Sequence, residues 1–297
     1  MTPFAIGPRA RAIAWLAAFV LALAAGGGVP LSAAAPPLRI VSVNITSDEI
    51  LLALAPDGLI ALSVLADDPD VSCVVREARK VPTRVKADSE QILDLRPDLV
   101  VIGAHAFLVA AQLEQLGVRV IRIGGFESIA WVERLVLTLG EATGTRTRAR
   151  EIVSDMRARL ETIRAGVAGR PRPRVLTYSW YGSTTGADTI LDDVIRAAGG
   201  ENLAATLGIS GTKRLSLEQL IVSDPDALVM SASRRWAPTF PSELLHHPAL
   251  QGVRAIRGGR VYLLPGPLMI TSSHHVVDAV EALARRLHPD VLAGSRP

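Results

Sequence analysis

The chain has 297 residues, 49% hydrophobic and 21% charged, which is enough for two ordinary domains and incompatible with a mainly disordered state. Lys and Arg total 32 against 29 Asp and Glu, and no basic run interleaved with aromatics occurs, so no nucleic-acid partner is expected. The single cysteine, Cys73, excludes intrachain disulfides, thiolate zinc sites and cysteine-held iron–sulfur clusters, and reads as a small, partly buried apolar residue.

At the start of the chain, Arg9 and Arg11 precede an uncharged apolar run over residues 13–25, then Gly26-Gly27-Gly28-Val29-Pro30 and the small residues 32–35. This pattern predicts a secretory signal peptide over residues 1–34, with Ser32 and Ala34 before a cut that leaves Ala35 first. The apolar run is shorter than the ~20 residues that span a bilayer. The expected product is soluble in the periplasm after the leader is removed.

Beyond the leader, short β-branched runs alternate with longer stretches of helical period, which predicts βαβ units around parallel sheets. Strands are expected at 39–43, 59–64, 98–103 and 119–123, then at 174–179, 227–231 and 260–264. Between the two sets, residues 128–166 place Ile129, Val132, Leu135, Val136, Leu139, Ile152, Val153 and Met156 mostly at steps of three and four. One long helix or two stacked ones is predicted there, with Gly140 and Gly144 as the places for a bend. A single rod over that stretch would extend roughly 58 Å at 1.5 Å per residue. The Gly- and Pro-containing stretch 165–173 ends it. The expected fold class is α/β, two Rossmann-like lobes with mainly parallel sheets bridged by a long backbone helix. The N-terminal lobe covers 35–127, the connecting helix 128–170 and the C-terminal lobe 171–297.

An internal repeat supports two lobes. Glu90-Gln91, Pro97-Asp98 and Val100-Val101 recur as Glu218-Gln219, Pro225-Asp226 and Leu228-Val229, and Arg39-Ile40-Val41-Ser42-Val43 recurs as Arg174-Val175-Leu176-Thr177-Tyr178.

In open parallel sheets, ligands bind beyond the carboxyl ends of the strands. The residues there are Asn44, Asp67, Asp68, His105, Phe107, Trp180, Tyr181, Arg234, Arg235 and Trp236. Phe107, Trp180, Tyr181 and Trp236 could clamp a planar or bulky apolar ligand, and Arg234 or Arg235 could pair with a carboxylate or phosphate on it. Gly182-Ser183-Thr184-Thr185-Gly186 is expected to close a loop and cap a helix starting near Asp188. Ser272-Ser273 reads as the N-cap of a helix carrying His274-His275, on which neighbouring histidines would point apart. Neither that doublet nor His246-His247 is therefore a chelate by itself. A dinucleotide Gly-x-Gly-x-x-Gly, a phosphate-binding Gly-rich loop with Lys and a Gly-x-Ser-x-Gly elbow are all missing from the sequence, so an enzyme reading has no motif behind it.

Five stretches in order carry a resemblance. They are residues 38–51 (Leu38-Arg39-Ile40-Val41-Ser42-Val43-Asn44, then Asp48-Glu49-Ile50-Leu51) and residues 89–100 (Ser89-Glu90-Gln91-Ile92-Leu93-Asp94 into Pro97-Asp98). Then come residues 139–144, Ala198-Gly199-Gly200-Glu201-Asn202-Leu203-Ala204, and His247-Pro248-Ala249-Leu250 leading to Gly259-Arg260-Val261-Tyr262. With this pattern the chain resembles the substrate-binding proteins of ABC importers for iron–siderophore complexes, corrinoids and haem. The resemblance implies a monomeric, non-catalytic protein without a resident cofactor, which holds a small metal chelate or corrinoid between its lobes and delivers it to a permease in the inner membrane. The residues expected to contact such a ligand, from their place past the strand ends, are Asn44, His105, Phe107, Trp180, Tyr181, Arg234, Arg235 and Trp236. The resemblance also implies permease docking through Glu201 on the second lobe. On the first lobe Arg79 stands where the matching acid would be, and Glu77 is the nearest substitute. A haem ligand would need an axial Tyr or His, for which Tyr181 or His105 could serve, and a free metal ion would need converging His and carboxylates.

Overall fold

The computed structural model of the protein describes residues 38–125, 127–233 and 240–290. The expected leader, and Arg234, Arg235 and Trp236, lie outside the described residues. From Leu38 onward the chain forms one compact unit.

The repeat has a clear structural meaning. In each half, a short helix turns into Pro-Asp, and the Asp carboxylate then accepts the backbone N–H that opens the neighbouring strand. Asp98 accepts from Arg39 N at 2.8 Å, and Asp226 accepts from Arg174 N at 2.9 Å. The same two arginines donate back to the carbonyls that end the short helix, Arg39 to Leu95 and Arg96, Arg174 to Ser223 and Asp224. Both turns hold a non-glycine residue in the left-handed region, Arg96 at φ 48° and Asp224 at φ 42°. The strain of those positions is offset by charge-assisted hydrogen bonds to otherwise orphaned helix carbonyls.

The first lobe contains β1 (Ile40–Ser42), α1 (Ile45–Leu54), β2 (Leu59–Ser63), α2 (Val75–Ala78), β3 (Arg84–Val85), α3 (Ser89–Asp94), β4 (Leu99–Gly103), α4 (Phe107–Gln115) and β5 (Arg119–Ile123). Its strands form a parallel sheet in the order β3-β2-β1-β4-β5. Central strands β1 and β4 are buried on both faces, which is why they read as unbroken apolar runs.

The connection is two helices, α5 (Ile129–Ala142) and α6 (Arg146–Val167), in place of one 58 Å rod. Gly144, at φ 75°, makes the turn between them, whereas Gly140 does not bend anything. A Cβ on Gly140 would fall 2.3 Å from the Ala149 Cβ, so the missing side chain lets the two helices pack closely. Helix α6 alone, about 33 Å long at 1.5 Å per residue, is the backbone helix. Near its start Arg148 reaches the Ala53 carbonyl of the first lobe, and Val167 at its end packs on Gly199 of the second.

The second lobe contains β6 (Arg174–Thr177), β7 (Ser183–Thr185), α7 (Ile190–Ala197), β8 (Glu201–Asn202), α8 (Leu203–Thr206), β9 (Thr212–Arg214), α9 (Leu217–Ser223), β10 (Ala227–Ser231), α10 (Phe240–Leu245), α11 (Arg254–Arg257), β11 (Val261–Leu264), α12 (Gly266–Ile270) and α13 (Val276–Leu287). Strands β11-β10-β6-β8 form a parallel sheet, and β7 pairs antiparallel with β9. The expected loop at 182–186 is thus mostly strand, and the following helix is capped by Thr189, whose hydroxyl accepts from Asp192 N. One apolar cluster runs from β1 and α1 through α5 and α6 to α7 and α13, so the two sheets share a core across the join.

Candidate functional site

Strand order reverses between β1 and β4 in the first sheet and between β6 and β10 in the second. At such switch points the loops beyond the carboxyl ends diverge and leave a crevice. A cleft of about 620 Å³ opens at the second one. The segment after β6 supplies Tyr178, Ser179, Trp180 and Tyr181, β10 and its continuation supply Met230, Ser231 and Ser233, and α12 supplies Gly266, Met269 and Ile270. Asp70 and Val71, from the loop after β2, bring the first lobe into the same wall. The volume is that of a site for an organic molecule of moderate size.

Trp180 and Tyr181 stack edge to face with ring centroids 5.3 Å apart at 87°. They remain 51% and 55% exposed, so two large rings stand at the cleft with surface to give to a ligand. Behind them the wall is rich in hydroxyls. Ser179 and Ser183 share a hydrogen bond of 2.7 Å, Thr177 accepts from Thr185 N, and the buried Tyr178 donates to the Leu215 carbonyl. Burial lifts the Tyr178 phenol above its ordinary range, with Glu218 adding to the effect. Among the described residues, Asp70 is the one charged side chain lining this cleft. Such walls suit a ligand held by stacking and neutral hydrogen bonds.

The other expected ligand residues divide in two groups. Asn44 and His105 are neighbours at the carboxyl edge of the first sheet, where a Cβ on Gly103 would lie 2.7 Å from His105 Nδ1 and 3.3 Å from Asn44 Nδ2. Asn44 also caps α1, its Oδ1 accepting from Thr46 N at 2.9 Å. Phe107 starts α4 on the same edge and is 58% exposed. None of these three lines the cleft of Trp180 and Tyr181. Glu77 on α2 and Glu201 on β8 are both exposed. Sequence reading missed Asp70, Val71, Met269 and Ile270, which reach the cleft only because the lobes meet there. The Pro265-Gly266-Pro267 segment after β11 was the available signal.

Where the lobes meet, their backbones nearly touch. A Cβ on Gly266 would fall 2.6 Å from the Asp70 carbonyl oxygen, a closeness only glycine permits. Just behind lies a buried polar group. The Glu49 carboxylate, on α1, accepts from Cys73 N at 2.8 Å and from the hydroxyls of Thr271 at 3.0 Å and Ser273 at 2.5 Å. Burial, then Glu49, pushes the Cys73 thiol up, in keeping with an inert residue. Ser273 serves Glu49 and accepts from His275 N, while α13 starts only at Val276. The histidine doublet therefore precedes the helix, and its rings lie side by side, centroids 4.2 Å apart, in place of pointing apart. Burial, then the neighbouring ring, lowers His274 to about 4. For His275 burial is outweighed by the 2.7 Å contact with Asp278 and by Glu49, and its pKa is raised. Arg159 of α6 binds both Asp278 and Glu281, tying the backbone helix to α13. Asp48, next to Glu49, is pushed up to about 7 by burial, against the hydrogen bonds of Ser42 and Ser63. No group of three or more His, Cys, Asp or Glu among the described residues is arranged to hold a metal ion.

The sequence pattern of the family described as periplasmic binding protein matches residues 40–268. The chain belongs to this family. It is 29% identical over 266 residues to the cobalamin-binding protein of Halobacterium salinarum, covering 85% of this chain and 70% of that one. It is 23% identical to an uncharacterised ABC transporter substrate-binding lipoprotein of Bacillus subtilis, over 86% of this chain and 81% of the relative. Among solved structures, it is similar to the periplasmic haem-binding protein RhuT from Roseiflexus sp. RS-1 in apo form. That match has a TM-score of 0.73 at 25% identity, over 85% of this chain and 98% of that one. The family accounts for the paired parallel sheets and the backbone helix. It is a family of binding proteins, which agrees with a cleft lined by rings and hydroxyls, and it points to a place outside the cytoplasm.

Proposed function

We propose that this chain is the substrate-binding protein of an ABC importer and that it captures one corrinoid or iron–siderophore molecule between its lobes. The observation that carries the reading is the Trp180–Tyr181 pair at the switch point of the second sheet, facing Asp70 and Val71 of the first lobe across one cleft. The ligand stacks on the exposed rings and takes neutral hydrogen bonds from the hydroxyl wall, so its metal needs no ligand from the protein. The 29% identical cobalamin-binding relative supports the corrinoid choice. A second reading, haem, is favoured by the solved haem-binding relative, with Arg234 and Arg235 as partners for its carboxylates. In either case the ligand leaves unchanged, the leader over 1–34 sends the monomer to the periplasm, and exposed Glu201 and Glu77 engage the permease. Rim acids of that kind fix orientation more than affinity. The shared core and the close contact at Gly266 support binding with little lobe closure.

Calorimetric titration with cyanocobalamin, haemin and ferrichrome tests this. One of them is expected to bind at one per chain, and Trp180→Ala is expected to weaken it about 30-fold, the effect of removing a central aromatic anchor of about 2 kcal/mol. No binding of any of the three, or equal affinity in the variant, would defeat the reading.

A further inference from the structure

We infer that Glu49 is a positioning residue for ligand binding: its carboxylate clasps together, from behind, the two chain segments that carry the lobes' walls to the cleft. The inference rests on the cleft being the binding site proposed above. Glu49 touches nothing in the cleft and is 1% exposed. One oxygen accepts from Cys73 N, at the end of the first-lobe loop that presents Asp70 and Val71 to the cleft. The other accepts from Thr271 and Ser273, directly after Ile270 on the opposite wall. A single side chain from α1 thus holds both segments where Gly266 and Asp70 are in backbone contact. A buried acceptor with three donors has one arrangement that satisfies it, since any shift between the segments strands a donor or the carboxylate itself. The clasp fixes the register of the seam, and with it the width of the cleft.

The test compares Glu49→Gln, Glu49→Leu and Thr271→Val in the mature chain. Gln keeps an acceptor for Cys73 N and offers an amide to two hydroxyls that can also accept. Leu keeps apolar bulk and no partner, and Thr271→Val removes one hydroxyl with little change of shape should the Leu variant fail to fold. Hydrogen exchange is followed in ligand-free protein, and dissociation rates are measured for whichever of cyanocobalamin, haemin and ferrichrome binds. Leu is expected to speed exchange of the Cys73 amide and of segments 66–73 and 264–271 at least tenfold over wild type, and Thr271→Val at least threefold. Dissociation should accelerate by the same factors while association stays within threefold, and Gln should remain within threefold of wild type throughout. A merely structural role would lower the melting temperature with no selective change in those segments and no restoration by Gln. Either outcome would overturn the inference. If wild type bound none of cyanocobalamin, haemin and ferrichrome, the binding reading would fail while the exchange result still decided whether the clasp exists.

Discussion

Gly266→Ala is the sharpest probe of how the two lobes meet. The added Cβ would sit 2.6 Å from the Asp70 carbonyl oxygen, 3.4 Å from its carbon and 3.5 Å from the Asp70 Cα. Carbon–oxygen contacts of the closest favourable kind are about 3.3 Å, so the two backbones must separate by roughly 0.7 Å. Both sides of the contact are main chain, and no side-chain rotation can absorb the shift. Overpacking of this sort costs about 1–3 kcal/mol. For a chain of this size each kcal/mol moves the melting temperature by roughly 2–4 °C, so a fall of roughly 2–12 °C is expected. Because Gly266 and Asp70 both line the cleft, ligand affinity should fall as well. Gly252→Ala is the matched control, since nothing lies within 4 Å of its added carbon, and it should stay within about 0.5 kcal/mol of wild type. Calorimetric melting of both variants, followed by ligand titration, decides the matter. A Gly266→Ala protein as stable and as tight-binding as wild type would refute this account of the seam.

Four further variants test other parts of the structure. Asp48 has a folded pKa of about 7 against an ordinary 3.8, so the stability it contributes is full below pH 4, declines as pH rises toward 7 and is absent above. The loss is about 4 kcal/mol at one pKa unit per 1.36 kcal/mol. Asp48→Asn should therefore gain stability relative to wild type between pH 4 and 8 in urea melts, and a constant difference across that range would contradict the burial argument. Asp98→Ala and Asp226→Ala each remove the acceptor of a strand-opening N–H, worth about 1–3 kcal/mol to a charged group. Asp226→Ala should cost more, because Asp226 also pairs with Arg254 at 2.6 Å, and equal melting temperatures for the two would speak against it. Glu201→Ala should leave ligand binding unchanged and reduce uptake in cells, while normal transport would remove Glu201 from the docking surface.

The central strands could be read from sequence because burial makes β1, β2, β4, β6 and β10 apolar runs, while the edge strands β5 and β11, largely exposed or half-buried, still carry enough apolar residues to be read; all seven fall within the expected stretches. Strands β3, β7, β8 and β9 could not. They are two or three residues long, and Thr212-Lys213-Arg214 is exposed throughout, so no apolar pattern marks it. Helical period alone could not separate one rod from a packed pair at 128–166, because the side chain that matters, the missing one at Gly140, acts through a contact with Ala149. At the site, Trp180 and Tyr181 could be found from their place just after a strand. Asp70, Val71, Met269 and Ile270 become neighbours only when the lobes meet, and beyond the Pro265-Gly266-Pro267 segment local sequence carries no record of that. Glu49 hides in an apolar helix, Ile45–Leu54, where an adjacent acidic pair was the available sign that something buried must receive it.

The most direct measurement is a crystal structure of the mature protein with the ligand that titration selects. The account predicts one intact molecule against Trp180 and Tyr181, reaching Asp70 and Val71, with the Gly266–Asp70 contact kept. A ligand seated on another face, or recovered in chemically altered form, would contradict it.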